Sequence, residues 1–218
     1  MRDKDIHEVM RIVNEAVRQW PSPVLGVAAA KFATPFQILI ACILSLRTKD
    51  RVTGEAAIRL FSLASSPLTI SQLKLSIIEG AIYPVAFYRT KSKQILDICH
   101  TLINSYSGQV PSSIDELMNL KGVGRKTANL VVTVGFGMPG ICVDVHVHRI
   151  CNRWGYIESR NAIETEALLR GKLSDRYWIT FNDLLVSFGQ NICKPVSPFC
   201  SKCPLEGHCA KVGVTRNR

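Results

Sequence analysis

Leu120-Lys121-Gly122-Val123-Gly124-Arg125-Lys126-Thr127-Ala128-Asn129 reads as the end of one helix, a four-residue hairpin and the start of a second helix. Gly122 and Gly124 bring bare amides and backbone freedom, because glycine reaches positive φ cheaply and lets another backbone approach closely. The helix that follows opens with unpaired N–H groups and the positive end of its dipole, so its start suits a phosphate. Arg125 and Lys126 stand beside that position, which makes Gly122, Val123, Gly124 and Arg125 candidate contacts to a nucleic-acid backbone. A nucleotide-binding P-loop is excluded, since the GxxxxGK[ST] spacing is missing and the segment before Gly122 has a helical pattern.

Outward from the hairpin the chain is nearly all helix. Ser113 is expected to cap the short helix leading into the hairpin, and the helix after it is expected to reach about Gly135. Upstream, Ile6, Val9, Met10, Val13 and Val17 recur at helical spacing behind Asp3 or Asp5, and Pro21 and Pro23 close the segment. Thr34-Pro35 places a capping hydroxyl before a proline at the first helical position. Phe36 to Leu46 is apolar all round, which predicts a helix buried on every side. Asp50 is expected to cap the next helix, a shorter one follows Thr69, Tyr83 to Thr90 is a loop, and a basic helix spans Lys91 to about Tyr106. Downstream, Asp144 reads as the cap of a helix over Val145 to Trp154 that stops at Gly155, and two more helices cover about 161–173 and 175–189. No strand pair is visible. The expectation is an all-α chain with two lobes, one from about residue 28 to 137 and one made of residues 1–27 and 138–218.

The 218 residues carry 27 Lys and Arg against 17 Asp and Glu, a net charge of +10, which favours a polyanionic partner. Met1 to Glu15 is charged and amphipathic, so no secretory signal is expected there, and the longest apolar run is too short to cross a membrane. Eight cysteines without such a signal point to a reduced compartment, hence a cytoplasmic location, and to metal rather than disulfides. Cys193, Cys200, Cys203 and Cys209 fall within seventeen residues, in a loop broken by Pro195, Pro198, Pro204 and Gly207. Four thiolates suit zinc or a [4Fe–4S] cluster, and the spacing alone leaves both open. Cys42, Cys99, Cys142 and Cys151 sit in apolar patterns and read as buried small hydrophobes. His146 and His148 are two apart on a helix, so they point in opposed directions and cannot share an ion.

Leu120 to Asn129, Val143-Asp144-Val145-His146 and the Cys193–Cys209 loop, in this order and separation, resemble the endonuclease III family of helix-hairpin-helix DNA glycosylases. The resemblance spans essentially the whole chain. It implies a six-helix lobe and a cluster-bearing lobe flanking a DNA-binding cleft, and a [4Fe–4S] cluster on Cys193, Cys200, Cys203 and Cys209. It places Lys126 at the position of the family's catalytic lysine and Asp144 at that of its catalytic aspartate. The helix start, Arg125 and a partly dry cleft would favour a neutral Lys126 amine. Such an amine attacks the sugar C1′, and a capped carboxylate at Asp144 stabilises the developing charge. His146 belongs to the family pattern as well, which places it among the expected DNA contacts.

The implied activity is a bifunctional glycosylase and abasic-site lyase for oxidised pyrimidines, acting in base excision repair as a monomer on double-stranded DNA of a prokaryotic-type nucleoid. A monofunctional mismatch or adenine glycosylase, or a non-enzymatic iron–sulfur DNA-binding protein, would share the motifs. Lys126, and an end at Arg218 with no further domain, favour the first reading. A glycosylase extrudes its target nucleotide, so something must fill the gap. The family's wedge loops map onto Ser45 to Asp50 and Ala86 to Tyr88, where Arg47 replaces a frequent glutamine and Phe87 a frequent leucine. Lys91, Lys93, Lys194 and Lys202 are expected phosphate contacts, and Lys211 to Arg218 is expected to be a solvated tail.

Overall fold

The structure is a computed structural model that describes residues 1–20 and 34–218. In chain order its α-helices are α1 (Ile6–Val17), α2 (Pro35–Ser45), α3 (Asp50–Leu63), α4 (Pro67–Ser71), α5 (Leu75–Ile82), α6 (Tyr88–Tyr106), α7 (Ile114–Met118), α8 (Arg125–Leu130), α9 (Val145–Trp154), α10 (Ala162–Lys172) and α11 (Trp178–Asn191). No strand occurs among the described residues, and no helix among them is long and apolar enough to cross a membrane. The chain divides into two compact units, Met1–Pro23 with Pro139–Arg218, and Val24–Met138. The expected boundary near Ala28 and the expected stops at Pro21 and Pro23 lie outside the described residues.

In the Val24–Met138 unit α2 is the central element. Thr34 accepts from the Gln37 amide at 3.3 Å, Pro35 opens the helix, and eight of its residues from Phe36 to Leu44 are buried. Each such side chain contributes about 1.5–3 kcal/mol when fully removed from water, so an all-apolar sequence is stable here only because neighbours cover every side. Those neighbours are α3, α6, α8 and the turn that follows α8. That turn, Val131–Gly135, is a π-helix rather than a continuation of α8. In the Met1–Pro23 and Pro139–Arg218 unit, α1 and α9 pack on α11. Val9, Val13, Val147, Ile150, Trp154, Leu185 and Phe188 form its centre.

Several expected caps take another form. Asp5 stands at the start of α1 but its carboxylate is held by Arg2 at 3.1 Å instead of by helix amides. Lys49, not Asp50, precedes α3, and Ser113 makes no side-chain cap bond. Thr69 does not precede the helix but lies inside a short one, Pro67–Ser71, capped by Ser66, and a second short helix, Leu75–Ile82, follows. The helix assigned to Lys91 onward begins three residues earlier, at Tyr88, immediately after Phe87 in the left-handed region. Gly155 ends α9 with φ +68°, as its residue type foretold.

Candidate active site

The hairpin stands between α7 and α8. Leu120 and Val123 are buried beneath it, so the Val123 side chain is a plug and only its backbone faces outward chemistry. Gly122 adopts φ +71°, whereas Gly124 is extended at φ −90° and forms the start of α8 with open space where a side chain would project. The positive φ expected of both glycines is therefore needed at one. Gln94 on α6, which sequence reasoning missed, donates from Nε2 to the Lys121 carbonyl at 3.0 Å. A Cβ on Gly122 would run into that same amide, with Cδ of Gln94 at 2.9 Å. Lys121 also pairs with Asp97 at 2.6 Å, so the face of α6 grips the hairpin twice.

Arg125 and Lys126 occupy the first two positions of α8 and are exposed. The dry surroundings expected for the Lys126 amine are not supplied by its own unit. Its charge is felt by Cys42 of α2, whose thiol burial nonetheless pushes up to about 12.

In the other unit Asp144 is the cap of α9. One carboxylate oxygen accepts from the amides of His146 at 2.8 Å and Val147 at 3.0 Å. The segment leading to it is pinned by Asn182, which donates to the Cys142 carbonyl at 3.1 Å. Asp183, the next residue on α11 and also missed from sequence, is pushed up to about 6 by burial and by the Asp144 carboxylate. His146 turns its Nδ1 to Arg149 at 3.0 Å, and His148 turns its own to Thr165 at 2.8 Å, so the two rings diverge as helical spacing requires.

The cysteine loop hangs from α9. Arg149 donates twice to the Cys193 carbonyl, at 3.2 and 2.8 Å. Arg153 reaches Cys193 Sγ at 3.5 Å and the Lys194 and Pro195 carbonyls at 2.7 and 2.6 Å. The Lys211 amide donates to Cys209 Sγ at 3.4 Å. Burial pushes the Cys203 thiol up to about 11, with charge on the other three cysteines acting in the same direction, so the four thiols share one neighbourhood. Among the described residues, no three of His, Cys, Asp and Glu are grouped to hold a metal ion. Cys42, Cys99, Cys142 and Cys151 are buried, as their apolar settings foretold.

Arg47 and Phe87 are both exposed, both at positive φ (+55° and +58°), and the Arg47 guanidinium lies 5.9 Å from the Phe87 ring centre. Lys93 and Lys202 are exposed, while Lys194 folds over the Phe199 ring at 5.0 Å. Lys91 is not a surface cation: it is 5% exposed and spends its ammonium on main-chain oxygens, which removes it from the phosphate contacts. The tail is largely exposed, as expected, and is anchored at its end, where the Arg218 amide donates to Pro198 O at 2.8 Å and its guanidinium covers Phe199.

Residues 40–174 match the HhH-GPD superfamily of base excision DNA repair proteins. Endonuclease III of Thermotoga maritima is 42% identical over 179 residues, covering 82% of this chain and 84% of that one. A non-covalent endonuclease III–DNA complex superposes with TM-score 0.84 at 32% identity, covering 97% of this chain and 96% of the other. A trapped endonuclease III–DNA covalent intermediate superposes with TM-score 0.81 at 33% identity, covering 97% of each. The chain belongs to the endonuclease III branch of the HhH-GPD superfamily.

Proposed function

We infer that this chain is a bifunctional DNA glycosylase and abasic-site β-lyase that removes oxidised pyrimidines from duplex DNA. The observation that carries the reading is an exposed lysine at the start of α8, directly behind the hairpin, in a chain whose fold matches an endonuclease III caught as a covalent intermediate with DNA. A covalent intermediate requires a nucleophile, and Lys126 is the residue offered for it. The neutral amine attacks C1′ and the C1′–N bond to the damaged base breaks, its electron pair leaving with the base, which takes up a proton. Ring opening converts the adduct into a Schiff base. Loss of a C2′ proton then expels the 3′ phosphate by β-elimination, and hydrolysis returns the lysine.

Asp144 serves as the carboxylate that stabilises positive charge on the sugar and assists proton movement. Its support is positional: two cap amides fix one of its oxygens at the head of α9. Gly122, Gly124 and Arg125 grip a phosphate, and Arg47 and Phe87 fill the space vacated by the extruded nucleotide.

Cys193, Cys200, Cys203 and Cys209 are the residues that would hold a [4Fe–4S] cluster. The donor set fits: four cysteine sulfurs share the loop, and Arg149, Arg153 and the Lys211 amide already face the sulfurs and the loop backbone. A cluster held by these four cysteines would tie the two ends of the loop together.

Incubation with duplexes carrying one oxidised pyrimidine tests the reading. It predicts release of the free base together with cleavage on the 3′ side. Base release that leaves an intact abasic strand would instead indicate a monofunctional enzyme.

A further inference from the structure

Lys91 is a buried ammonium whose partners are oxygens on either side of one exposed residue. Nζ donates to the carbonyls of Leu44 at 2.8 Å and Leu46 at 2.6 Å, and to Thr48 Oγ1 at 3.3 Å. The two carbonyls lie at the end of α2, where helix carbonyls lack partners and the dipole is negative. Leu46 and Thr48 flank Arg47. Thr48 Oγ1 also accepts from the Ala86 amide at 3.2 Å, across to the loop that carries Phe87. The Lys91 main-chain amide completes the circuit by donating to the Phe87 carbonyl at 3.0 Å. One residue therefore brackets both Arg47 and Phe87, and these two sit in left-handed backbone that costs each about 1–2 kcal/mol and persists only when its surroundings impose it.

We propose that Lys91 is the positioning residue that holds Arg47 and Phe87 as one preformed wedge and so sets how readily the damaged nucleotide is extruded. The proposal rests on the reading of Arg47 and Phe87 as the residues that fill the DNA. Three donors on one flexible stem reach three acceptors between Leu44 and Thr48, and one of these, Thr48 Oγ1, carries the tie to the loop of Phe87, a pattern an uncharged side chain of the same length cannot reproduce. Burial of Lys91 pulls its pKa down to about 8, so at neutral pH the full set of donors is still present.

The test compares Lys91→Met, Lys91→Arg and Thr48→Val with Arg47→Ala and Phe87→Ala. Three signals are read: single-turnover base release from a lesion duplex, fluorescence of 2-aminopurine placed opposite the lesion, and borohydride trapping on a duplex whose abasic site is already formed. Lys91→Met and Thr48→Val are expected to slow base release by about tenfold and to blunt the fluorescence rise as Arg47→Ala does. Trapping on the preformed abasic site should stay within about twofold of the parent, because little extrusion is left to do there. Lys91→Arg should recover most of the fluorescence signal. If Lys91→Met fails to fold, Thr48→Val decides, since it removes the hydroxyl that ties the two loops while the Lys91 bonds to the Leu44 and Leu46 carbonyls stay in place. Unchanged fluorescence in the Lys91 and Thr48 variants, with loss in Arg47→Ala and Phe87→Ala, overturns the proposal and leaves the wedge standing. Unchanged fluorescence in all five overturns both. Equal losses of base release and trapping in Lys91→Met would reduce Lys91 to a general structural cation and also overturn it.

Discussion

Gly122→Ala, taken alone and together with Gln94→Ala, examines whether α6 holds the hairpin in the way the contacts imply. At φ +71° an alanine costs about 1–2 kcal/mol relative to glycine. Its Cβ would also occupy the place of the Gln94 amide, forcing that flexible side chain away and breaking its bond to the Lys121 carbonyl. A hydrogen bond of this kind contributes about 0.5–1.5 kcal/mol. Gly122→Ala is therefore expected to lower stability by about 1.5–3.5 kcal/mol, and Gln94→Ala by about 0.5–1.5 kcal/mol. In the double variant the bond is lost once, not twice, so the loss should fall short of the sum by about 1 kcal/mol. Urea unfolding followed by far-ultraviolet circular dichroism gives all three values. Strict additivity, or a Gly122→Ala cost below about 0.5 kcal/mol, would refute the claim that Gln94 and Gly122 are built around each other.

Asp144→Asn should keep its cap, because asparagine and aspartate cap about equally well, while base release falls by about a hundredfold or more. An unchanged single-turnover rate would remove Asp144 from the chemistry. Asp183→Asn should stabilise the protein at pH 7.5. With its folded pKa near 6, above that of the unfolded chain, the parent carboxyl retains its proton longer when folded, so stability declines as pH rises from about 4 to about 6 and the penalty is complete above that. The full difference corresponds to about 3 kcal/mol, which solvent screening of this half-buried group reduces to about 1–2 kcal/mol. Denaturant midpoints at the two pH values should show the gain at pH 7.5 and its disappearance near pH 4. Iron and sulfide analysis of the purified protein should find about four of each per chain and lose both in Cys200→Ser. A single bound zinc would contradict the cluster assignment.

The features legible in the sequence are those whose signal is local. Asp144 is followed by a helical repeat and precedes amides it can accept from, so its cap is readable without neighbours. Thr34-Pro35 announces α2 in the same way, and the all-apolar run behind it can only be a covered helix. Gln94, Asp183 and the role of Lys91 were not legible, because each is defined by a partner 27 or more residues away in sequence. Lys91 shows the physical reason most plainly. A lysine in a basic run looks solvated, and only the spare carbonyls at the end of α2 give it cause to be buried. The π turn after α8 and the docking of Arg218 against Phe199 are likewise tertiary effects that periodicity cannot register.

Mapping the borohydride adduct tests the central claim most directly. After reaction with a lesion duplex and reduction, the DNA is digested to a sugar remnant and the protein cut into peptides for mass spectrometry. The account predicts one modified residue, Lys126, and no adduct in Lys126→Ala. An adduct on another lysine or on the Met1 amine, or base release without any adduct, would contradict it.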